Sequence, residues 1–282
     1  MPIRFSNYAG NKQDFTGTFN FITSNLNKKV YVEPFFGSGA VFFNLEKDFD
    51  LYVINDINPH VMNSIRSFRD GNYETYISLR SRVYEMFGDT KADKGAYVKF
   101  RDWFNTEYFG GKKDLLTEGF YFHFLMNSCI NSLVRIGPNG FNQSYGNRTR
   151  VVGRTEFLEI QARLKKKVTI LSTDYSAILD QYDSEETLIF LDPPYAQRNE
   201  VGYKSTYGIA DLEQFLKKVK LLKGSVIYTD IACEQHNQLT GWIREDTKML
   251  DNISPNRKAQ DGNQEVFFRN FEGRKRGVVA LF

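Results

Sequence analysis

The chain has 282 residues, of which 41% are hydrophobic and 25% charged, and its formal net charge is +3. This length suits one large domain or a domain with an insertion, and the composition is that of a soluble globular protein. The weak positive balance permits a nucleic-acid partner without requiring one. Two distant cysteines and three scattered histidines argue against a disulfide framework and a zinc site, and no apolar run approaches membrane-spanning length. We therefore expect a cytoplasmic protein.

The N-terminal segment ends in a loop from Tyr8 to Lys12, with a flexible glycine between an aromatic residue and a lysine. Phe15, Phe19 and Ile22 then recur at helical spacing and predict a helix over residues 14–26. Alone, such a loop is more often a surface turn. It gains weight from the elements that follow.

A strand, a glycine loop and a helix come next, in the order of the first βα turn of a nucleotide-binding sheet. The strand is predicted over residues 30–33 and the helix over residues 40–45. The loop between them carries Gly37 and Gly39. A lone pair of glycines is weak evidence for a nucleotide site.

An acidic residue strengthens that interpretation. A second strand is predicted over residues 51–55 and ends at Asp56, 19 residues after Gly37, which is the spacing of an acid that binds ribose hydroxyls. Phe42 stands where the dinucleotide fingerprint has its third glycine. A nucleoside ligand without phosphates, such as S-adenosylmethionine, therefore fits better than a dinucleotide.

The alternation of strands and helices stops between residues 58 and 153. Three aromatic-rich helices are predicted there, over residues 72–87, 97–108 and 115–125, and we expect them to form a small inserted domain. Arg80 falls on the apolar face of the first helix, where its stem can cover apolar surface. The residues predicted to share that face are Tyr73, Tyr76, Ile77, Val83, Tyr84 and Phe87.

A β-hairpin is predicted at the end of the insertion. Asn139-Gly140 lies between two short extended runs, which is the strongest short-range hairpin signal. Arginine and asparagine side chains flank the turn, and such residues reach guanine and adenine edges when a two-stranded ribbon enters a major groove. An exposed polar hairpin without a ligand is the alternative.

Strands are predicted again over residues 168–171, 187–191 and 225–229, with a helix over residues 211–222 between the last two. The remaining chain, from residue 248 to residue 281, is predicted to form extended pairs around a turn at residues 260–263.

The most informative stretch is Asp192-Pro193-Pro194-Tyr195, which follows an apolar strand. The prolines end the strand and present Asp192 at its carboxyl end, where ligands bind in open α/β sheets. The Asp192 carboxylate and the Pro193 carbonyl are two acceptors, and Tyr195 is a flat ring. This set suits an exocyclic amino group on a planar base, whereas a strand-ending turn capped by an aspartate is the alternative.

In this order the motifs resemble those of the Dam-type DNA adenine-N6 methyltransferases (D12 class, alpha group), closest to the Dam enzymes of phages. The resemblance runs nearly end to end. It implies an α/β fold, with a Rossmann-like sheet of seven strands and an inserted, mostly helical target-recognition domain carrying the hairpin. The implied bounds are residues 1–57 and 151–282 for the catalytic domain and residues 58–150 for the target-recognition domain.

The resemblance also implies roles for particular residues. Catalysis is assigned to Asp192, Pro193, Pro194 and Tyr195. Binding of S-adenosylmethionine is assigned to Tyr8, Lys12, Glu33, Phe35, Gly37, Gly39, Asp56, Asp174 and Asp192. Binding of double-stranded DNA is assigned to Asn131, Arg135, Asn139 and Arg148.

The implied activity is methyl transfer to N6 of a flipped-out adenine, without a metal or a membrane partner. The sequence leaves the oligomeric state open, with a monomer favoured. Ser144 stands where these enzymes usually have a proline, so the expected target is GATC or a related site. Methyltransferases that act on RNA, cytosine N4 or a protein amide would share the cofactor site and stay as alternatives. A nucleotide-binding module without catalysis would not need the Asp192–Tyr195 stretch.

Overall fold

The structure is a computed structural model. It describes residues 2–6, 12–110, 113–146, 150–196, 207–246 and 265–274. Tyr8, Arg148 and the predicted turn at residues 260–263 lie outside these ranges.

The described strands form one large sheet and one small one. Their bounds are β1 Val30–Glu33, β2 Leu51–Asn55, β3 Ile136–Gly137, β4 Gly140–Phe141, β5 Val168–Leu171, β6 Thr187–Leu191, β7 Ser225–Ile231, β8 Ile243–Asp246 and β9 Glu265–Arg269. The large sheet has seven strands in the order β5-β2-β1-β6-β7-β9-β8, and β3 pairs with β4 alone. This is the seven-stranded sheet that the sequence predicted.

Parallel pairing joins β1 to β2, β1 to β6 and β6 to β7, whereas β9 runs antiparallel to both of its neighbours. All five residues of β6 and all seven of β7 are buried. Central parallel strands are covered on both faces, which is why they appear as continuous apolar runs. The carboxyl ends of β1, β6 and β7 therefore lie side by side, at the same end of the sheet.

The buried residues of the helices include many aromatic side chains. Their bounds are α1 Thr16–Thr23, α2 Ala40–Phe43, α3 Pro59–Asp70, α4 Tyr73–Phe87, α5 Lys94–Glu107, α6 Leu115–Met126, α7 Arg154–Leu164, α8 Tyr175–Tyr182 and α9 Ile209–Val219. The predicted helices are confirmed as α1, α2, α4, α5, α6 and α9. The sequence analysis did not predict α3, α7 and α8. No helix in the described ranges is long and apolar enough to cross a membrane.

The chain divides into two compact units. One contains Met1–Gln13, Phe36–Asn44 and Asn55–Thr173, and the other contains Asp14–Phe35, Leu45–Ile54 and Asp174–Phe282. In the first unit, α3 packs along α6, whose central residues are buried on all sides. The second unit holds most of the large sheet.

The predicted apolar face of α4 is wrong in part. Tyr76 and Val83 are buried, but Tyr84 is 62% exposed and Ile77 is 37% exposed. Arg80 is half-buried and lies over the ring of Phe124, as its position on the packed face suggested. The contact with α6 covers a narrow stripe of α4, so helical spacing alone overstated the buried width.

The hairpin is confirmed, with a different turn. Ile136 pairs with Phe141 and Gly137 with Gly140, so Pro138 and Asn139 are the central residues. Gly140 has φ of 100° and follows the turn rather than forming its centre. Proline fixes φ near −65° and favours this first central position.

Candidate functional site

The buried strand β6 ends directly before Asp192. The prolines that follow cannot continue the ladder, so the chain leaves the sheet there. The Asp192 carboxylate accepts a hydrogen bond from Thr229 of β7, with 2.8 Å between Thr229 Oγ1 and Asp192 Oδ1. Pro193 is buried, and Pro194 is exposed. The strand therefore presents a carboxylate whose orientation is set by a neighbouring strand.

Tyr195 is fixed through its hydroxyl. The hydroxyl donates to Glu265 of β9, with 2.5 Å between Tyr195 Oη and Glu265 Oε1. Burial, and then the charges of Asp192 and Glu265, raise the pKa of Tyr195. The phenol therefore stays protonated at neutral pH and keeps its role as the donor.

Other predicted site residues of the same unit lie on β1, after it, or before α8. Glu33 is buried and accepts a hydrogen bond from the Tyr31 hydroxyl at 2.7 Å. The ring of Phe35 lies 5.2 Å from that of Tyr175. Asp174 is exposed and caps α8 by accepting from the Ser176 amide at 2.8 Å. A contact between Asp174 and a cofactor stays a prediction.

The glycine loop and Asp56 meet within the other unit. The Gly37 amide donates to Asp56 Oδ2 at 2.9 Å, and the Asn58 amide donates to Asp56 Oδ1 at 2.9 Å. Gly37 and Gly39 have φ of 50° and 67°. A Cβ on Gly39 would come within 2.2 Å of the Phe36 ring, so the loop needs glycine there.

The loop before Asp56 is anchored as well. The Asn55 side chain accepts from the Thr173 amide at 2.9 Å and donates to the Thr173 carbonyl at 3.0 Å. The Ser172 hydroxyl donates to the Asp56 carbonyl at 3.0 Å. Burial raises the pKa of Asp56, and the two backbone donors oppose that shift. The chain thus fixes this carboxylate before any ligand binds.

Asp56 has the acceptor capacity that the hydroxyls of a ribose require. A carboxylate offers about four lone-pair sites, and the two amides occupy two of them. Two sites are left for the hydroxyls of a ribose, so these residues fit the adenosine part of S-adenosylmethionine. Lys12, also in this unit, is buried, and Tyr8 lies outside the described residues.

The predicted DNA-binding residues lie in and before the hairpin. Asn131 is exposed and has φ of 53°, a left-handed conformation that asparagine adopts more readily than most residues other than glycine. Arg135 donates to the Asn142 side chain at 2.7 Å and to its carbonyl at 2.8 Å. Asn139 is exposed at the turn. Arg148 lies outside the described residues.

Two residues that touch the catalytic stretch were missed from sequence. Thr229 lies in a strand that is otherwise mostly apolar, and a polar Thr-Asp pair inside such a run was an available signal. Glu265 begins β9, and nothing local in the sequence marks it. In the described parts of the chain, no cluster of three or more His, Cys, Asp or Glu side chains is arranged to hold a metal ion.

The structure combines a mostly parallel α/β sheet, an acidic residue bonded to a glycine loop, and a carboxylate–proline–proline–tyrosine stretch after a buried strand. These are the features expected of one class of protein, the S-adenosylmethionine-dependent methyltransferases that act on an amino group. The comparison with known proteins specifies the family.

Residues 8–267 match the family model of the D12 class N6 adenine-specific DNA methyltransferases, and the chain belongs to that family. It is 32% identical to the type II methyltransferase M.MjaIII of Methanocaldococcus jannaschii, over 72% of each chain. It is 27% identical to a DNA adenine methylase of Haemophilus influenzae, over 77% of this chain and 76% of that one. It is 24% identical to the type II methyltransferase M.CviBI of Paramecium bursaria Chlorella virus NC1A, over 67% of each chain.

The family membership makes this protein an S-adenosylmethionine-dependent enzyme that methylates adenine N6 in DNA. The alternatives of an RNA, cytosine or protein substrate, and of a binding module without catalysis, are not supported. The family does not specify the target sequence or the residues that act.

Proposed function

We propose that Asp192, Pro193 and Tyr195 form the amino-group site of this methyltransferase and that the target adenine enters it flipped out of the duplex. The observation that carries the proposal is the position of Asp192 at the end of a buried strand, held by the hydroxyl of a neighbouring strand at 2.8 Å. An adenine inside a duplex cannot reach such a strand end, so the base has to leave the stack.

The chain contributes acceptors and a stacking surface. The Asp192 carboxylate and the Pro193 carbonyl accept the two hydrogens of N6, which draws the nitrogen toward tetrahedral geometry and exposes its lone pair. The Tyr195 ring stacks on the base and offsets part of the few kcal/mol lost on unstacking. S-adenosylmethionine would supply the methyl group to N6 and leave as the thioether, and the surplus proton on N6 would pass to Asp192 and then to water. Positioning and electrostatics supply most of the rate.

S-adenosylmethionine supplies the electrophilic methyl group when it is bound. We assign its ribose hydroxyls to Asp56, because that carboxylate is fixed by the Gly37 and Asn58 amides and keeps acceptor capacity. Lys12, Gly37 and Gly39 belong to the same unit and complete the first part of the proposed cofactor site. Further contacts are proposed for the residues Tyr8, Glu33, Phe35, Asp174 and Asp192.

We propose that the segment from Asn131 to Arg148 reads the DNA. Asn131 is exposed, and an asparagine carboxamide can pair with an adenine edge. Arg135 is held by Asn142, which fixes the direction of its guanidinium before DNA binds. Asn139 at the exposed turn and Arg148 complete the set. The target is GATC or a related site.

The test is a transfer assay with tritiated S-adenosylmethionine and unmethylated duplex DNA. The parent protein should label adenine N6. Asp192→Ala should slow transfer by at least about a thousandfold, or roughly 4 kcal/mol, because it removes the charged acceptor for the amino group. A transfer rate within about tenfold of the parent would place the amino-group site elsewhere.

A further inference from the structure

Thr229 connects the catalytic stretch to the neighbouring strand β7. Its side chain is fully buried, and its Oγ1 lies 2.8 Å from Asp192 Oδ1 and 3.4 Å from the Leu191 carbonyl. A hydroxyl has one proton to donate, and the shorter contact leads to the charged acceptor. Charge-assisted hydrogen bonds are about twice as strong as neutral ones. Thr229 therefore orients the carboxylate.

Glu265 connects the same stretch to β9. Its carboxylate accepts from the Tyr195 hydroxyl at 2.5 Å, across 70 residues of sequence. A tether at the hydroxyl restricts rotation about the Cα–Cβ bond, because that rotation would carry the hydroxyl away from its partner. The place at which the Tyr195 ring lies is therefore set from β9.

The hydrogen bonds from Thr229 and to Glu265 come from one pair of neighbouring strands. Strands β7 and β9 are paired antiparallel, and Glu265 lies opposite Ile231, two residues after Thr229. The chain next to Thr229 is itself held, because the Tyr228 hydroxyl donates to the buried Asp230. His236 Nε2 lies 3.2 Å from the same carboxylate. The strand end that carries Thr229 is thus part of a buried polar network.

We propose that Thr229 and Glu265 are positioning residues, which set the Asp192 carboxylate and the Tyr195 ring relative to each other from one pair of strands. The inference rests on the proposed function, in which Asp192 and Tyr195 contact the target base. Neither positioning residue needs to touch the substrate. Their contribution is to reduce the rotamers of two side chains to one arrangement, which matters because small misplacements of reacting groups cost large factors in rate.

Thr229→Val tests the first tether, since valine keeps the branched shape and removes the donor. The single-turnover rate of methyl transfer should fall about 10- to 100-fold, while the KM for DNA changes less than about threefold. Thr229→Ser should restore the rate to within about threefold of the parent. The matched control is Thr187→Val. Thr187 begins β6, at the end away from Asp192, and is as fully buried as Thr229. Its hydroxyl donates to the Tyr182 carbonyl at 2.8 Å. This variant should lose stability without losing rate.

The second tether is tested by a double-mutant cycle, which also serves if Thr229→Val does not fold. Tyr195→Phe and Glu265→Ala each remove the same hydrogen bond, so each should slow single-turnover transfer about tenfold. The double variant should be no slower than the slower single variant, within about twofold. Independent roles would instead multiply the two losses.

The outcomes separate this inference from the function on which it rests. An Asp192→Ala variant whose transfer rate stays within about tenfold of the parent would overturn the proposed amino-group site itself. A slow Asp192→Ala variant, together with a Thr229→Val variant of parental rate or a Thr229→Ser variant as slow as Thr229→Val, would overturn the positioning role alone. Multiplying losses in the cycle would overturn the role of Glu265.

Discussion

Asp56 is fixed by its own chain before a ligand arrives. It follows β2 directly, and two backbone amides hold its two oxygens at 2.9 Å each. A ribose would meet a carboxylate that is already oriented, so binding would cost little further ordering of this side chain. At the scale of single residues, we therefore expect the affinity for S-adenosylmethionine to be most sensitive to substitution of Asp56.

Asp56→Ala should weaken S-adenosylmethionine binding, because a charge-assisted hydrogen bond contributes roughly 1.5 to 3 kcal/mol. Isothermal calorimetry should show a dissociation constant about 10- to 150-fold higher, with DNA affinity changed little. Asp180→Ala is the control, since Asp180 is exposed and its charge pairs with Lys218. Unchanged cofactor affinity in Asp56→Ala would place the ribose elsewhere.

At the scale of elements, the segment Ile3–Phe5 is held from several sides of its unit. Asn44 exchanges two hydrogen bonds with the backbone of Ile3, at 2.8 and 2.9 Å. Arg150 donates twice to the Arg4 carbonyl and also pairs with Glu156. This segment ends three residues before Tyr8 of the proposed cofactor loop, and Arg150 lies two residues after Arg148, the end of the proposed DNA-reading segment.

Arg150→Ala should lower the free energy of unfolding by about 1 to 2 kcal/mol, because it removes partners from a backbone carbonyl and from Glu156. Urea denaturation measures this change. Arg154→Ala is the matched control four residues later, where an exposed ion pair with Glu74 should contribute at most about 1 kcal/mol. Equal losses in the two variants would contradict the anchoring role of Arg150.

The hairpin poses a separate question of specificity. If Arg135 reads a guanine, Arg135→Ala should cost about 1 to 3 kcal/mol on the proper site and relax the preference at one base pair. Sequencing of methylated adenines in treated DNA would show the relaxed preference. If Arg135 touches only phosphate, binding should weaken equally on all sequences and the salt slope should fall by about one unit. An unchanged target and an unchanged slope would remove Arg135 from the interface.

At the scale of the whole molecule, a buried histidine makes stability depend on pH. His123 of α6 is fully buried and lies 3.1 Å from the Phe5 carbonyl through Nε2. Burial lowers the pKa of His123 to about 3. The folded protein therefore keeps this side chain neutral, whereas the unfolded chain binds a proton below about pH 6.5. Since the unfolded state binds more protons between these two pKa values, stability falls as pH falls through that window.

His123→Gln should remove this dependence. Between about pH 7.5 and about pH 5.5, the parent should lose about 1.4 kcal/mol more of its unfolding free energy than the variant. Urea denaturation at the two pH values gives the comparison. Parallel losses in both proteins would show that other groups set the acid limit.

The sequence by itself determined the parts of this protein that depend on local chemistry. Two prolines after an apolar run ended β6 at Asp192, because proline cannot continue a ladder. Asn139-Gly140 between two extended runs predicted the hairpin, because Asn-Gly is a strong short-range hairpin signal, although the turn itself is centred on Pro138 and Asn139. The motif order was specific enough to indicate the family. The roles of residues 58–150 in target recognition and of Asp174 in cofactor binding stay predictions.

Only the tertiary structure decided which side chains meet. Thr229 reaches Asp192 across 37 residues and Glu265 reaches Tyr195 across 70, and no local pattern encodes either pairing. These contacts depend on strand order and register, which follow from how the whole sheet buries its apolar faces. The exposure of Tyr84 has the same origin, since helical spacing gives the direction of a side chain but not how much of that face a neighbour covers.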